Sequence, residues 1–314
     1  MNIGIPTEVK KREGRVALTP QAVMRICQHG HRCYLQAGAG VHSGYTDTDY
    51  IHAGAIIMPS AESVYRAGEL IIKVKEPIAA DLKHLKARHI LFCFLHLAAN
   101  PELQQKLKDI GLTAIAFETV SHQGTLPLLA PMSEIAGRVA IQAGAHLLHH
   151  HRGILLGGSN HTDSGTVTVI GAGNAGQQAI QQALALGARV NVFDINPHRL
   201  HYLQKQYPRL HCYEAHHLAM QNAVRQSDLV IGAVLVPGAK APTLILKDTV
   251  TSMPSGSVII DIAIDQGGCI ETMQATDYEN PSYEVNGVIH MGVTNLPGAV
   301  PRTASQALSH VLLP

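Results

Sequence analysis

At 314 residues the chain is long for one hydrophobic core, and two domains of about 150 residues each are the natural reading. Lys plus Arg number 24 and Asp plus Glu 23, for a formal net charge of +1, and aromatics make up 4% with no Trp. That balance excludes the basic surplus of a nucleic-acid or anionic-membrane binder, and the stacking surfaces that single-stranded recognition needs.

No stretch approaches the ~18 uninterrupted apolar residues of a membrane span, and MNIGIPTEVKKREGR turns charged before a signal-peptide core could form. The five cysteines (Cys27, Cys33, Cys93, Cys212, Cys269) include no CxxC pair. They fit a reduced, cytoplasmic compartment better than a disulfide scaffold.

Short apolar runs alternate with helix-period segments along most of the chain, the α/β pattern. NIGIP opens as a strand; Thr19-Pro20 starts a helix with a hydroxyl cap and a first-turn proline, and Gly30 ends it. HRCYLQAG, LIIKVKEP (70–77), HILFCFLHLA (89–98) and LTAIAFETV read as further strands, with a helix beginning at Asn100-Pro101. A long apolar helix over 131–151 is long enough to bridge two domains, and the Gly-, Ser- and Asn-rich RGILLGGSNHTDSG after it reads as a loop. His149-His150-His151 bring no HExxH or second ligand set with them, so no metal is expected.

A second unit then begins: strand TVTVI, helix NAGQQAIQQALALG, strand ARVNVFDI, helix PHRLHYLQKQY, and strands DLVIGAV and SVIIDIAI. Their continuous Val/Ile character suits parallel strands covered on both faces. The fold class expected is α/β with two doubly wound domains, a Rossmann NAD-binding domain and a Rossmann-like substrate domain separated by a cleft. The boundaries expected are 1–127 plus 302–314 for the substrate domain and 128–301 for the NAD-binding domain.

In VTVIGAGNAGQQAI the glycines Gly171, Gly173 and Gly176 directly follow a strand and open a helix. The first permits the tight turn, the second lets backbone approach a pyrophosphate, and the third allows close helix–strand packing. Asn174 and Ala175 complete the turn, with the diphosphate on the helix N-terminus. Asp194 ends the next strand, 23 residues beyond Gly171, where a carboxylate can accept from both ribose hydroxyls and repel a 2′-phosphate. NAD is therefore expected over NADP. Arg199 is a counter-argument, read here as a solvated helix residue.

Lys75 and His96 stand near the ends of apolar strands, whose carboxyl ends open on one crevice if both are parallel. Lys73 and Lys75, two apart, share a face, so one is read as functional and the other as solvated. Arg15, after KKREG, could fork onto a substrate carboxylate, although a surface Arg is commoner in a loop. Asp265 is read as ending the strand IIDIAID. Strand burial alone leaves His96 open between a satisfied core histidine and a proton carrier.

The blocks IGIPTEVKKREGRVALTP, IKVKEPIA, LFCFLHLAAN, LPLLAPMSEIAGR, GAGNAG, DLVIGAVLVPGAKAP and DIAIDQGGC together resemble the bacterial L-alanine dehydrogenase family over nearly the whole chain. The resemblance implies reversible hydride transfer between L-alanine and NAD, giving pyruvate, ammonia and NADH, by a homohexamer. By position it implies that Arg15 binds the substrate carboxylate and Lys75 contacts the keto or carboxylate oxygen. His96 would be general acid/base for the carbinolamine and imine steps, with Asp265 assisting the water and amine proton transfers. Ser133, Val234 and Leu235 of VLVPG, Ile262, and Asn295 of TNLPG would line the cofactor site. It also implies helices returning to complete the substrate domain. Only the first, roughly 302–312, lies in this sequence, so exposed apolar surface is expected there.

Two other readings compete. One is the soluble NAD(H)-binding subunit of a proton-translocating transhydrogenase, which would act through membrane partners; the other is a shortened NAD-binding protein with little catalysis. LFCFLHLAAN with its histidine favours the dehydrogenase.

Overall fold

A computed structural model describes residues 1–236 and 241–313. The chain divides into two compact units, residues 1–132 with 300–314, and residues 133–299.

The first unit runs β1 (Asn2–Ile5), α1 (Pro20–Gln28), β2 (Arg32–Gln36), α2 (Asp47–His52), β3 (Ile56–Met58), α3 (Ala61–Ala67), β4 (Leu70–Ile72), α4 (Ala79–Leu82), β5 (Ile90–Cys93), α5 (Pro101–Ile110) and β6 (Thr113–Ala116). Among the described residues its sheet has six strands, all parallel, in the order β3-β2-β1-β4-β5-β6. Local chemistry sets the helix starts. The Thr19 hydroxyl accepts from Ala22 N–H, and Asn100 accepts from Leu103 N–H at 3.0 Å, each just before a first-turn proline. Between β4, β5 and the helices, Tyr65, Ile71, Leu85, Leu91, Leu103 and Leu107 form the buried core.

Helix α6 (Ala130–His151) carries the chain into the second unit. There follow β7 (Thr166–Ile170), α7 (Asn174–Ala185), β8 (Arg189–Asp194), α8 (Pro197–Gln206), β9 (Leu210–Glu214), α9 (His217–Arg225), β10 (Leu229–Gly232), α10 (Lys247–Thr251), β11 (Val258–Asp261), β12 (Tyr283–Val285) and β13 (Val288–Met291). The described sheet has the order β12-β13-β11-β10-β7-β8-β9, parallel except for the β12–β13 edge pair. Counted from β7, this is again the 3-2-1-4-5-6 winding of the dinucleotide-binding fold, with an antiparallel strand added at the edge. Helix α11 (Pro301–Val311) returns to the first unit, where Ser305 and Ser309 accept from the Val16 and Thr19 amides at 2.9 and 3.0 Å.

Three strands are shorter than their apolar runs imply. LIIKVKEP pairs as a strand only through Ile72, HILFCFLHLA only through Cys93, and IIDIAID only through Asp261. Lys75, His96 and Asp265 therefore lie on loops beyond strand ends, Asp265 in a single 3-10 turn at Ile264–Gln266. Apolar character reports burial, and these loops are buried in part without being paired throughout as strands. No helix among the described residues is long and apolar enough to cross a membrane.

Candidate active site

In the first unit the chemistry gathers at the carboxyl ends of the central strands. The loop after β1 carries Glu8, Glu13 and Arg15, that after β4 carries Lys73, Lys75 and Glu76, and that after β5 carries His96. Strand order reverses between β1 and β4, the position at which open α/β sheets bind ligands. Two backbone bonds join the loop after β4 to β5 and the loop beyond it: Lys73 N–H donates to Phe92 at 3.2 Å, and Phe94 N–H donates to Val74 at 3.0 Å. The segments bearing Lys75 and His96 thus run side by side.

Glu8 crosses from the β1 loop to hold the β4 loop. Its carboxylate accepts from Val74 N–H at 2.6 Å, from Lys75 N–H at 3.4 Å and from the Lys73 ammonium at 3.2 Å. Asp81 accepts from the same ammonium at 3.1 Å and from the Tyr65 hydroxyl at 2.8 Å. Lys73 is only 1% exposed, so the reading of one lysine of this pair as solvated is corrected. Two buried carboxylates draw its ammonium inward. Burial opposes that charge, but Glu8 and Asp81 outweigh burial and hold the Lys73 pKa above that of an ordinary lysine. Burial likewise raises Glu8, with Lys73 opposing.

Lys75 is buried as well, its Nζ 3.9 Å from Glu76 Oε2, while Glu76 also pairs with Lys10. Arg15 is no surface arginine either. It is 3% exposed, and Glu13 takes its fork from one side, with Nε donating at 2.7 Å and Nη2 at 2.6 Å. The Arg15 amide also donates to Glu13 at 3.0 Å, and Nη1 lies 3.4 Å from Met132 Sδ. A bidentate, buried pair of this kind fixes the guanidinium plane.

His96 has left-handed backbone angles, φ 49° and ψ 40°, uncommon for any residue but glycine. Its ring stacks on Phe94, with centroids 6.0 Å apart and planes 12° from parallel. The Glu118 carboxylate accepts from His96 N–H at 2.6 Å and from Leu95 N–H at 3.2 Å to each oxygen. Reasoning from the sequence missed Glu8, Glu13 and Glu118, whose residue type reads as solvated. The available signal was that all three follow strands in loops on the carboxyl side of the sheet.

In the second unit the glycine turn has the geometry its spacing implies. Gly171 has φ +95°, and a Cβ there would stand 2.6 Å from the Ala233 carbonyl oxygen. A Cβ on Gly176 would stand 1.8 Å from the Gly171 carbonyl oxygen. Gly173 differs: its φ is negative and a Cβ would meet nothing within 4 Å. The protein's own packing therefore does not require glycine at 173, but a ligand lying against that backbone would. Helix α7 starts at Asn174 with no side-chain hydrogen bond capping it, so no cap takes the first amides of the helix.

This predicts a split between two alanine substitutions. G173A is expected to melt as the native protein does while weakening dinucleotide binding roughly tenfold or more, for lack of room at the pyrophosphate. G176A is expected to lower the melting temperature, because backbone must move. Titration of NADH, followed by its own fluorescence or by calorimetry, beside a thermal melt, checks both.

Asp194 closes the turn from β8, accepting from Ala172 N–H at 2.6 Å and Asn196 N–H at 2.8 Å, and is 7% exposed. Arg199 is not simply solvated: its Nη1 lies 3.5 Å from Asp194 Oδ2, because Asn196 caps α8 and turns that first helical turn toward the strand end. Ile262 and Asp265 follow β11. Asp261 steadies that turn, accepting from Ala263 N–H at 2.9 Å and Cys269 N–H at 2.7 Å, and burial pushes its pKa up to about 6. Val234 and Leu235 follow β10, Val234 partly buried and Leu235 exposed; Pro237 and Gly238 of VLVPG lie outside the described residues. Asn295 follows β13 just before the 3-10 turn Leu296–Ala299, and Ser133 sits half-buried in the first turn of α6. Every candidate residue of this unit except Ser133 thus lies at or beyond the carboxyl end of a strand.

Two doubly wound parallel sheets, one with a dinucleotide-type glycine turn and acidic strand end, define a two-domain protein of the Rossmann class. Within it, the chain belongs to the alanine dehydrogenase/PNT family, whose N-terminal domain matches residues 4–136 and C-terminal domain residues 140–314. It is 47% identical over 319 aligned positions to the alanine dehydrogenase of Bacillus subtilis (strain 168), covering all of this chain and 84% of that protein. A solved L-alanine dehydrogenase superimposes with TM-score 0.95 at 46% identity, over all of this chain and 88% of that one. The transhydrogenase from Sinorhizobium meliloti superimposes with TM-score 0.87 at 27% identity, over 99% of this chain and 92% of that one.

Proposed function

We propose that the chain catalyses the reversible NAD-dependent oxidative deamination of L-alanine to pyruvate and ammonia. The observation that carries the reading is the carboxyl side of one sheet, where the buried cations Arg15 and Lys75 stand on the loops after β1 and β4 and a histidine stands on the loop adjoining the second. A small amino acid offers a carboxylate for cations to hold and an amine whose exchange for a carbonyl oxygen needs proton transfers near neutral pH. Arg15, its plane set by Glu13, meets the substrate carboxylate; Lys75 meets the keto or carboxylate oxygen. His96 takes and returns protons as imine becomes carbinolamine and then ketone, and Asp265 assists the water and amine transfers.

Bound NAD would supply the hydride acceptor for the alanine Cα. Gly171, Gly173, Asn174, Ala175 and Gly176 would cradle its pyrophosphate, and Asp194 would accept from the ribose hydroxyls. Ser133, Val234, Leu235, Ile262 and Asn295 would complete its contacts. The buried Asp194 carboxylate would repel a 2′-phosphate, so NAD is preferred to NADP even with Arg199 alongside. We further read the protein as a cytoplasmic homohexamer, in line with the family resemblance and with cysteines that are all free. Identity to the Bacillus subtilis alanine dehydrogenase, 47% against 27% for the transhydrogenase, supports this reading over a transhydrogenase subunit.

Purified protein with L-alanine at alkaline pH is expected to form NADH from NAD, and NADPH from NADP with kcat/KM lower by about tenfold or more. Absorbance of the reduced nicotinamide reads both. The absence of any L-alanine-dependent rate would remove the reading, and isolation with an integral membrane subunit would favour the transhydrogenase alternative.

A further inference from the structure

We propose that Glu118 is a positioning residue for His96, and that the 3-10 turn Phe117–Thr119 sets both the backbone and the ring of that histidine. The inference rests on the dehydrogenase reading above, in which His96 moves protons.

The geometry has two parts, both issuing from the turn that follows β6. The first is a clamp on the main chain. Glu118 places both oxygens 3.2 Å from Leu95 N and one 2.6 Å from His96 N, so two successive amides converge on one carboxylate. The second residue of that pair has φ 49°, and a non-glycine residue stays in the left-handed region only where its surroundings over-determine it. Successive N–H groups with one residue left-handed form a concavity suited to an anion, and here a side chain of the same protein fills it. Without Glu118 both amides lose a charged acceptor, and the Leu95–His96 peptide would relax towards the commoner backbone angles. That relaxation would swing the His96 Cα–Cβ bond away from its present direction.

The second part holds the ring. Phe117, with no solvent exposure, packs edge-on against Phe94 (centroids 5.1 Å apart, planes at 89°) and against Phe92 (4.4 Å, 82°). Phe94 in turn makes an offset, near-parallel stack with the His96 imidazole. Adjacent residues of one short turn therefore fix the histidine twice, Glu118 through the backbone and Phe117 through Phe94. Displacement of a reacting group by about 1 Å costs roughly 10²-fold in rate, so a group that only aims another can carry a large kinetic effect. Glu118 itself need not touch substrate or cofactor.

The test is a double-mutant cycle on the full chain, following NADH formation from L-alanine. E118A is expected to lower kcat by about 10- to 100-fold while KM for L-alanine and Kd for NADH each change less than about threefold. E118Q keeps an amide oxygen for the His96 N–H and is expected to recover most of that loss. In an H96A background, E118A is expected to lower the residual rate no further, because there is no imidazole left to aim. A merely structural glutamate would depress both backgrounds by the same factor, and that result would overturn the proposal; so would native kcat in E118A. Should E118A fail to fold, E118D takes its place in the cycle, keeping the charge but too short to reach both amides. The parent reading fails differently: either the native protein shows no L-alanine-dependent rate, or H96A matches it.

Discussion

Replacing His96 with alanine is expected to lower L-alanine oxidation by about 10²- to 10⁴-fold, the range for loss of a general acid/base. The reaction exchanges an amine for a carbonyl oxygen, so water must lose protons and nitrogen must gain them at the same carbon. Imidazole is the side chain that titrates nearest neutrality. In the first unit the His96 ring is presented beyond β5, on a loop joined by a hydrogen bond to the one bearing Lys75. Binding of NADH should change little in H96A, because the contacts proposed for it, the glycine turn and Asp194, do not include His96. The signature is therefore a fall in kcat with the dinucleotide Kd preserved. H96N is the sharper control: asparagine tolerates left-handed angles better than most residues, so it keeps the loop while removing the proton carrier. If H96N turned over within about threefold of the native protein, His96 would be a packing residue only.

How much of this was legible in the sequence depended on how local each signal was. The glycine turn was readable because its requirements are met within six residues: Gly171 needs a positive φ, and Gly176 has a carbonyl where a Cβ would sit. The strand ends were not. Apolar runs carry through Lys75, His96 and Asp265, and nothing in their periodicity shows where strand pairing stops. What takes over the amides beyond β4 and β5 is a carboxylate from a different part of the chain. Glu8 serves Val74 and Lys75 from 66 and 67 residues away, and Glu118 serves Leu95 and His96 from 23 and 22. Short elements such as Ile56–Met58 and Asp47–His52 also escape notice, because three to six residues leave little period to read. The distinction between Lys73 and Lys75 needed the sheet itself, since only the fold shows that Glu8 and Asp81 close on the first of them.

That closure supports the second large effect. Lys73→Met is expected to destabilise the first unit by about 3–5 kcal/mol near neutral pH, the usual cost of removing one partner from a buried ion cluster. In a unit of this size the corresponding drop in its melting temperature is on the order of 10 °C. Methionine preserves most of the side-chain volume, so the deficit is electrostatic: Glu8 and Asp81 remain buried with their shared cation gone. The sign of the pH dependence follows from Glu8. Burial already raises its pKa above 4.5 with Lys73 opposing, and deleting Lys73 removes the opposition, so the folded value rises further. A carboxyl whose folded pKa lies above its unfolded one binds more protons when folded, so stability is lost as pH rises through the folded value and regained as pH falls. The deficit of K73M against the native protein should therefore shrink as pH is lowered from neutrality into the acid range, as read by thermal unfolding at each pH. K73M with E8Q should recover part of the loss at neutral pH, since a neutral amide can still accept from Val74 N–H without burying a lone charge. A deficit constant across that range would make Lys73 a space-filling residue, and the Glu8 hold on the Lys75 loop would then owe nothing to the ammonium beneath it.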